Sequence, residues 1–476
     1  MLLLRDETEL ARTRGLQVEH TELVREVFAG RADLREVYAR KFVAALGAAL
    51  ESPMYDDAIP GDVRRLLLGG AALDPAFVLD DVFGRLPFLG KRELSGHGQA
   101  AFTRKLSDFL HYYESSGTTG HPAAAPKALD DLIVNTINIG EMWGRLLQPS
   151  DIALILINAP FAPAAYQFEK IMEYLGVMSF RPWVDNITGD YTRVLRLVEE
   201  LGATVFVGPP SRLLEMIQFA HRAGLPAPKF ERLLLMAEQT GPSLLAHLER
   251  LTGGRAYVGS YGSSETGTPA VTCEHHNLHL QPQSFLLELV DERGARLVTG
   301  APDRGELVVT TLDIPARPLI RYRTGDLVEI DGTPCPCGLA LPVLRTLGRG
   351  QDLLVLEESG IRQNDVENAL WAEELPGAKV FNYMVVLRGS QVVFLVTADA
   401  EPDGAWAGVL ADRLAALFPK HEVVVRAVDT LPPLASLGQY LGWKLSRVLD
   451  LGDERNWERL PAPILSIVRQ SLDQVG

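Results

Sequence analysis

The sequence predicts an α/β protein in two parts. A large N-terminal domain, multi-layered with parallel-rich sheets and helices, is expected over residues 1–351, and a small α+β domain over 352–476. Three observations predict this. At 476 residues the chain exceeds what one hydrophobic core usually serves. From about residue 150, short apolar runs alternate with amphipathic segments, the texture of strand–helix–strand units around a parallel sheet. After about residue 350 the texture changes to a hairpin, a helix and one more strand.

Residues 1–110 read as mostly helical, with apolar spacing in REVYARKFVAALGAAL and VRRLLLGG. RLPFLGKREL reads as a turn entering a further helix. The runs at 152–158 (IALILIN), 204–208 (TVFVG) and 233–236 read as buried strands, and 255–259 as another. Between them, 211–223 reads as a helix with Leu213, Leu214, Ile217 and Ala220 on one face. In the second part, 379–387 and 391–397 flank Arg388-Gly389-Ser390, a hairpin signal. A helix over 405–418 and a strand over 422–428 follow, and the apolar run at 460–472 suits a packed C-terminal helix.

The formal net charge is −15, from 46 basic and 61 acidic residues. That balance argues against nucleic-acid or membrane-surface partners, whose binders are usually basic. MLLLRDETEL has too short an apolar start for a signal peptide, and no apolar run approaches the ~20 residues of a membrane span. A cytoplasmic protein is expected. Three cysteines are too few for a disulfide framework. Only nine lysines occur, so each is worth placing.

Tyr113-Glu-Ser-Ser-Gly-Thr-Thr-Gly-His-Pro122 is dense in glycine and hydroxyl side chains. Such a loop can turn its amides inward and cradle phosphate oxygens, or it can be a solvated linker. It is no nucleotide-hydrolase loop, because His121 follows Gly120 where that pattern needs lysine. Tyr261-Gly-Ser-Ser-Glu-Thr-Gly267 puts an aromatic face beside Gly262, suited to a nucleobase, and a carboxylate at Glu265 able to hold Mg²⁺. Arg321-Tyr-Arg-Thr-Gly-Asp326 sets a carboxylate after a turn, fit for vicinal ribose hydroxyls, and Arg349 follows in LGRGQD. Each of these also reads as a tight turn with a structural salt bridge.

The cysteines fall in two clusters, Cys335-Pro-Cys337 and Cys273-Glu-His-His-Asn-Leu-His279. Three thiolates and one imidazole would satisfy a closed tetrahedral zinc site, with His279 favoured over His275. Buried free thiols around a Pro-Gly turn are the alternative.

In order and spacing, these segments resemble the adenylate-forming superfamily of acyl-CoA synthetases and adenylation domains. YESSGTTGHP, PLIRYRTGDL, the CPCG at 335–338 and the compact C-terminal part resemble its phenylacetate–CoA ligase branch, and the likeness spans about 80–450. The resemblance implies that Ser115, Ser116, Gly117, Thr118, Thr119 and Gly120 hold the outer phosphates of ATP. It implies that Ala237, Glu238, Tyr261 and Gly262 line or stack on adenine, that Glu265 binds magnesium, and that Asp326 with Arg349 holds the ribose. Lys444, in Lys-Leu-Ser-Arg447, matches the catalytic lysine of the mobile C-terminal lid, although Trp443 separates it from Gly442. Asp352 matches the hinge, and zinc sites of this Cys₃His kind occur in some members of the branch.

The resemblance further implies ATP-dependent activation of a carboxylic acid to an acyl-adenylate, then transfer to CoA. Amino-acid-activating relatives carry an aspartate where this chain has Ala162, so an ammonium would stay unpaired. An aryl or arylacetic acid against Phe161 and Tyr166 fits better. Two other readings stand beside this: transfer to the phosphopantetheine of a carrier protein, and a non-catalytic nucleotide or acyl-adenylate binder. The oligomeric state is open, a homodimer included.

Overall fold

The computed structural model describes residues 4–69, 74–115, 122–157, 162–184, 189–349, 354–356, 359–401, 404–431, 447–452 and 462–473. The chain divides into two compact units. The first comprises Met1–Ser150, Ala159–Met178 and Gly259–Gly350; the second comprises Asp151–Asn158, Ser179–Val258 and Gln351–Gly476.

The first unit opens with helices over Glu7–Phe28 and Leu34–Ala49, each started by an aspartate. Asp6 accepts from the Glu9 amide, and Asp33 from those of Arg35 and Glu36, so orphan donors of the first turn are satisfied. The second of these helices packs Phe42 and Leu46 into a core with Phe83, Leu94, Leu319 and Tyr322. The helix Leu129–Trp143 is buried along most of its length; Trp143 stacks on Phe168 at 5.2 Å and donates to the Gly259 carbonyl at 3.0 Å.

The same unit holds an eight-stranded antiparallel sheet. Its strands are β6 (Ser260–Ser263), β7 (Gly267–Thr272), β8 (Leu278–Leu280), β9 (Phe285–Asp291), β10 (Gly294–Leu297), β11 (Asp303–Thr311), β12 (Tyr322–Asp331) and β13 (Val343–Arg349). They run in the order β10-β9-β11-β12-β13-β8-β7-β6. This sheet carries most of the motifs, yet the sequence reading placed no strands in it. Its residues are mixed in polarity because partners such as Arg323–Glu306 sit on its exposed side.

The second unit is built on a five-stranded sheet: β1 (Ile152–Ile155), β2 (Met178–Phe180), β3 (Val205–Gly208), β4 (Arg232–Leu235) and β5 (Arg255–Val258). The order is β2-β1-β3-β4-β5, with β1, β3, β4 and β5 parallel. IALI, VFVG and RLLL are apolar at nearly every position because both faces are covered. The covering helix Pro210–Arg222 buries Leu213, Leu214, Ile217 and Ala220, the face its periodicity predicts.

The C-terminal part forms a hairpin, β16 (Lys379–Arg388) and β17 (Gln391–Asp399), closed by Gly389-Ser390. It is flanked by β18 (Glu422–Ala427) and β19 (Val448–Asp450), preceded by the short pair β14 (Leu354–Leu356) and β15 (Ser359–Ile361). The helix Gln363–Trp371 packs on the helix Pro242–Thr252, and Leu244, Leu248 and Leu251 share one core with Val366, Leu370 and Trp371. There Trp371 lies parallel to His247 at 4.4 Å, and His247 Nε2 meets the Phe381 carbonyl at 3.0 Å.

Candidate active site

The hairpin β6–β7 carries Tyr261, Gly262 and Glu265. Gly262 is required here: a Cβ would stand 2.1 Å from the Gly267 carbonyl oxygen across the hairpin. Gly267 itself has φ +79°, which glycine alone adopts freely. The two glycines of YGSSETG therefore shape the turn that projects Glu265.

Pairing of β12 with β13 sets Asp326 opposite Arg349. Arg349 Nε donates to Asp326 Oδ1, and Tyr261 Oη donates to Oδ2 at 2.7 Å. Burial and the adjacent carboxylate push the Tyr261 phenol well above its usual range, so it stays a donor. Three residues far apart in sequence thus form one hydrogen-bonded set. The preceding Arg321 has another place: it is buried, pairs with Glu288 at 2.8 Å, donates to the Leu86 carbonyl at 2.7 Å and lies over the Phe88 ring. It is a structural member of the RYRTGD segment.

Glu265 is 3% exposed. Burial acts to raise its carboxyl, but Lys91, the Glu265 backbone N–H and Arg317 together outweigh it and hold the group below its usual range. Lys91 Nζ stands 3.3 Å from Oε1. A buried carboxylate kept ionised is the oxygen donor a hard divalent cation takes, so the residue fits a magnesium ligand.

Behind Glu265 lies a cluster only partly visible in the sequence. Lys127 Nζ donates to the Ser264 carbonyl at 3.1 Å, and Arg317 Nη2 donates to that of Glu265. Burial, with Arg317 adding to it, lowers the Lys127 ammonium to about 8, and burial raises Asp131 beside it to about 6. Lys91 and Arg317 were missed by motif reading; the scarcity of lysine was the one signal for Lys91.

Ser115 ends a short ladder. Its amide donates to the Ala123 carbonyl and its Oγ accepts from the Ala123 amide, both at 2.9 Å, while His111 bridges Lys127 and Glu114 bridges Ala124. Ser116, Gly117, Thr118, Thr119 and Gly120 lie outside the described residues, as do Phe161, Asp352 and Lys444. Tyr166 is described: its ring centroid is 4.3 Å from that of His111, with Lys170 over its face.

In the second unit, Ala237 follows β4 with φ 69°, a conformation unfavourable for a residue with a Cβ and often tied to function. Glu238 accepts from the Ser211 amide at 3.1 Å and from its hydroxyl. Arg447, three residues past Lys444, is buried; it donates to Asn382 Oδ1 and to the Tyr383 carbonyl at 3.0 Å and lies over the Tyr383 ring.

The four residues Cys273, His279, Cys335 and Cys337 come together in the first unit, each offering a ligand atom within 4.8 Å of the others. Cys273 Sγ is 3.7 Å from Cys335 Sγ, and Cys337 Sγ is 3.3 Å from His279 Nε2. His279 Nδ1 stands 3.2 Å from the Leu341 carbonyl, which orients Nε2 toward the thiols. The 3.7 Å separation of the Cys273 and Cys335 sulfurs matches the edge of a tetrahedron with metal–sulfur bonds of about 2.3 Å.

The AMP-binding enzyme family profile matches residues 107–312. The chain is 29% identical over 425 residues to a phenylacetate–coenzyme A ligase of Thermus thermophilus, covering 81% of this chain and 91% of that protein. It is 26% identical over 330 residues to a protein of the same description from Pseudomonas putida, covering 65% and 71%. In fold it is similar to a 2-hydroxyisobutyryl-CoA ligase in complex with an acyl-adenylate, with TM-score 0.69, 18% identity and coverage of 94% and 92%. Over residues 107–312 the chain resembles the AMP-binding enzymes. The Thermus thermophilus and Pseudomonas putida proteins that it resembles both carry the description phenylacetate–coenzyme A ligase.

Proposed function

We propose that this protein is an AMP-forming acid–thiol ligase that activates an aryl or arylacetic acid with ATP and transfers the acyl group to CoA. The Tyr261–Asp326–Arg349 set beside the ionised Glu265 carries this reading. Asp326, fixed on both oxygens, offers its remaining lone pairs to the ribose hydroxyls. Tyr261 serves the adenine. Glu265 would hold Mg²⁺, which supplies charge neutralisation on the phosphates.

The acid carboxylate attacks the α-phosphorus, forming the acyl–phosphate bond as the bond to pyrophosphate breaks. Charge grows on phosphoryl oxygens, where the Lys444 ammonium is worth more in the transition state than in the ground state. In the second step the CoA thiol attacks the acyl carbon and AMP leaves. Asp352 serves as hinge and residues 352–476 as the moving part. Cys273, His279, Cys335 and Cys337 hold a structural zinc, which the donor set and its spacing support. A cytoplasmic setting is part of the proposal; no helix among the described residues is long and apolar enough to cross a membrane.

The experiment is pyrophosphate release across aryl, arylacetic, fatty and amino acids, followed by CoA or a phosphopantetheinylated carrier protein with the best acid. An arylacetic or aryl acid with CoA is the expected pair. Preference for an α-amino acid, or turnover only on a carrier, would overturn the substrate or the acceptor respectively.

A further inference from the structure

Two consecutive carbonyls, those of Ser264 and Glu265, are each bonded by a buried cation. Lys127, 6% exposed, takes the first, and Arg317, 1% exposed, takes the second. A turn carbonyl is ordinarily satisfied by water or a neutral N–H, which avoids desolvating a charge. Nearby anions do not make these cations a settled salt bridge. Asp131 spends Oδ2 on the Ala128 amide, and its Oδ1 has no hydrogen-bond partner among the described residues; neither do Arg317 Nε and Nη1. Such an arrangement calls for a reason beyond stability, since a whole buried ionic set can often be replaced by apolar groups of similar volume without loss.

The geometry has another consequence. Lys127 is fixed at both ends: its amide donates to the His111 carbonyl at 2.9 Å, and its own carbonyl accepts from Leu110 at 3.0 Å. It therefore belongs rigidly to the paired segments 111–115 and 123–127, while its ammonium reaches the β6–β7 turn. Arg317 approaches the same turn from the segment between β11 and β12.

We propose that Lys127 and Arg317 are positioning residues that hold the Ser264–Glu265 peptide by both carbonyls and so fix the Glu265 carboxylate where it meets the magnesium of Mg-ATP. The inference rests on the adenylate-forming reading and adds two residues to it. Each acts through the backbone carbonyl it bonds, Ser264 for Lys127 and Glu265 for Arg317, and the Arg317 charge also favours the ionised Glu265 carboxylate. Loss of one lets the turn relax, and the metal must then pay for ordering the carboxylate.

The test uses the full chain, Mg²⁺ and ATP. Ligand-free melting and the Mg²⁺ concentration giving half of the ATP-induced thermal shift are measured for wild type, Lys127→Met, Lys127→Arg and Arg317→Lys. Lys127→Met, which leaves the Ser264 carbonyl without its donor, is expected to melt below the wild-type temperature and, while folded, to need ~10-fold more Mg²⁺. Lys127→Arg should return the requirement to within about twofold, since it keeps a buried donor cation. Arg317→Lys, which loses the forked donor, should raise it, and serves if Lys127→Met does not fold. A folded Lys127→Met, or in its place Arg317→Lys, with the wild-type Mg²⁺ requirement overturns the inference. A wild-type protein with no Mg²⁺-dependent stabilisation by ATP instead removes the adenylate-forming reading, and the inference with it.

Discussion

Tyr261 Oη donates to Asp326 Oδ2 at 2.7 Å while Arg349 holds the other oxygen of the same carboxylate. The aromatic ring and the carboxylate, read from the sequence as separate contacts for base and sugar, are therefore one unit. The phenol sets the carboxylate, and the carboxylate sets the tilt of the ring.

This unit makes its members unequal. Tyr261→Phe keeps the ring and loses one hydrogen bond, so KM for ATP should rise about 2–10-fold with kcat little changed. Asp326→Ala removes the charged acceptor and leaves Arg349 without its carboxylate, so KM for ATP should rise ~10–100-fold. Steady-state kinetics at saturating acid separates them; equal effects would show that Asp326 acts only as a support for Tyr261.

The Cys273–His279–Cys335–Cys337 cluster should carry one zinc per chain when the protein is purified without added metal, measured by elemental analysis. Cys337→Ser should lose the metal and lower Tm by ~5–10 °C, because metal binding is coupled to folding. In the metal-free state burial pushes the Cys337 thiol up to about 12, so the apoprotein should be slow to alkylate there. Zinc-free protein with an unchanged Tm would favour plain buried thiols.

Glu367 gives a pH dependence of known sign. It is fully buried, and burial lifts its carboxyl from 4.5 to about 7, against the pull of Arg447. Its folded pKa lies above its unfolded one, so between about pH 4.5 and 7 the folded state binds the extra proton. Stability from this group is complete below about pH 4.5 and is lost as pH rises toward 7, by of order 3 kcal/mol at most. Glu367→Gln, which cannot ionise, should be more stable than wild type above pH 7, with a flatter pH–Tm curve. Urea denaturation at pH 5 and pH 8 checks this.

Much of the second unit was legible because its strands are buried on both faces. IALI and VFVG announce themselves without context, and the 211–223 face is a plain helical period. The eight-stranded sheet was not legible, because its strands mix buried Leu and Val with paired charges such as Arg323–Glu306. Glycine and hydroxyl motifs drew attention to Tyr261, Glu265 and Asp326, and the family resemblance implied their roles. Lys91 and Arg317 could not be found that way. They reach the Glu265 turn from segments 174 and 52 residues away, and only the folded chain brings them there.

Acid-dependent exchange of pyrophosphate into ATP tests the central claim most directly. Wild type should catalyse it with an aryl or arylacetic acid, without CoA. Glu265→Gln and Lys444→Ala should each lower the rate ~10²–10³-fold or more while the proteins stay folded. Exchange that persists at the wild-type rate in both variants, or that no acid elicits from wild type, would contradict it.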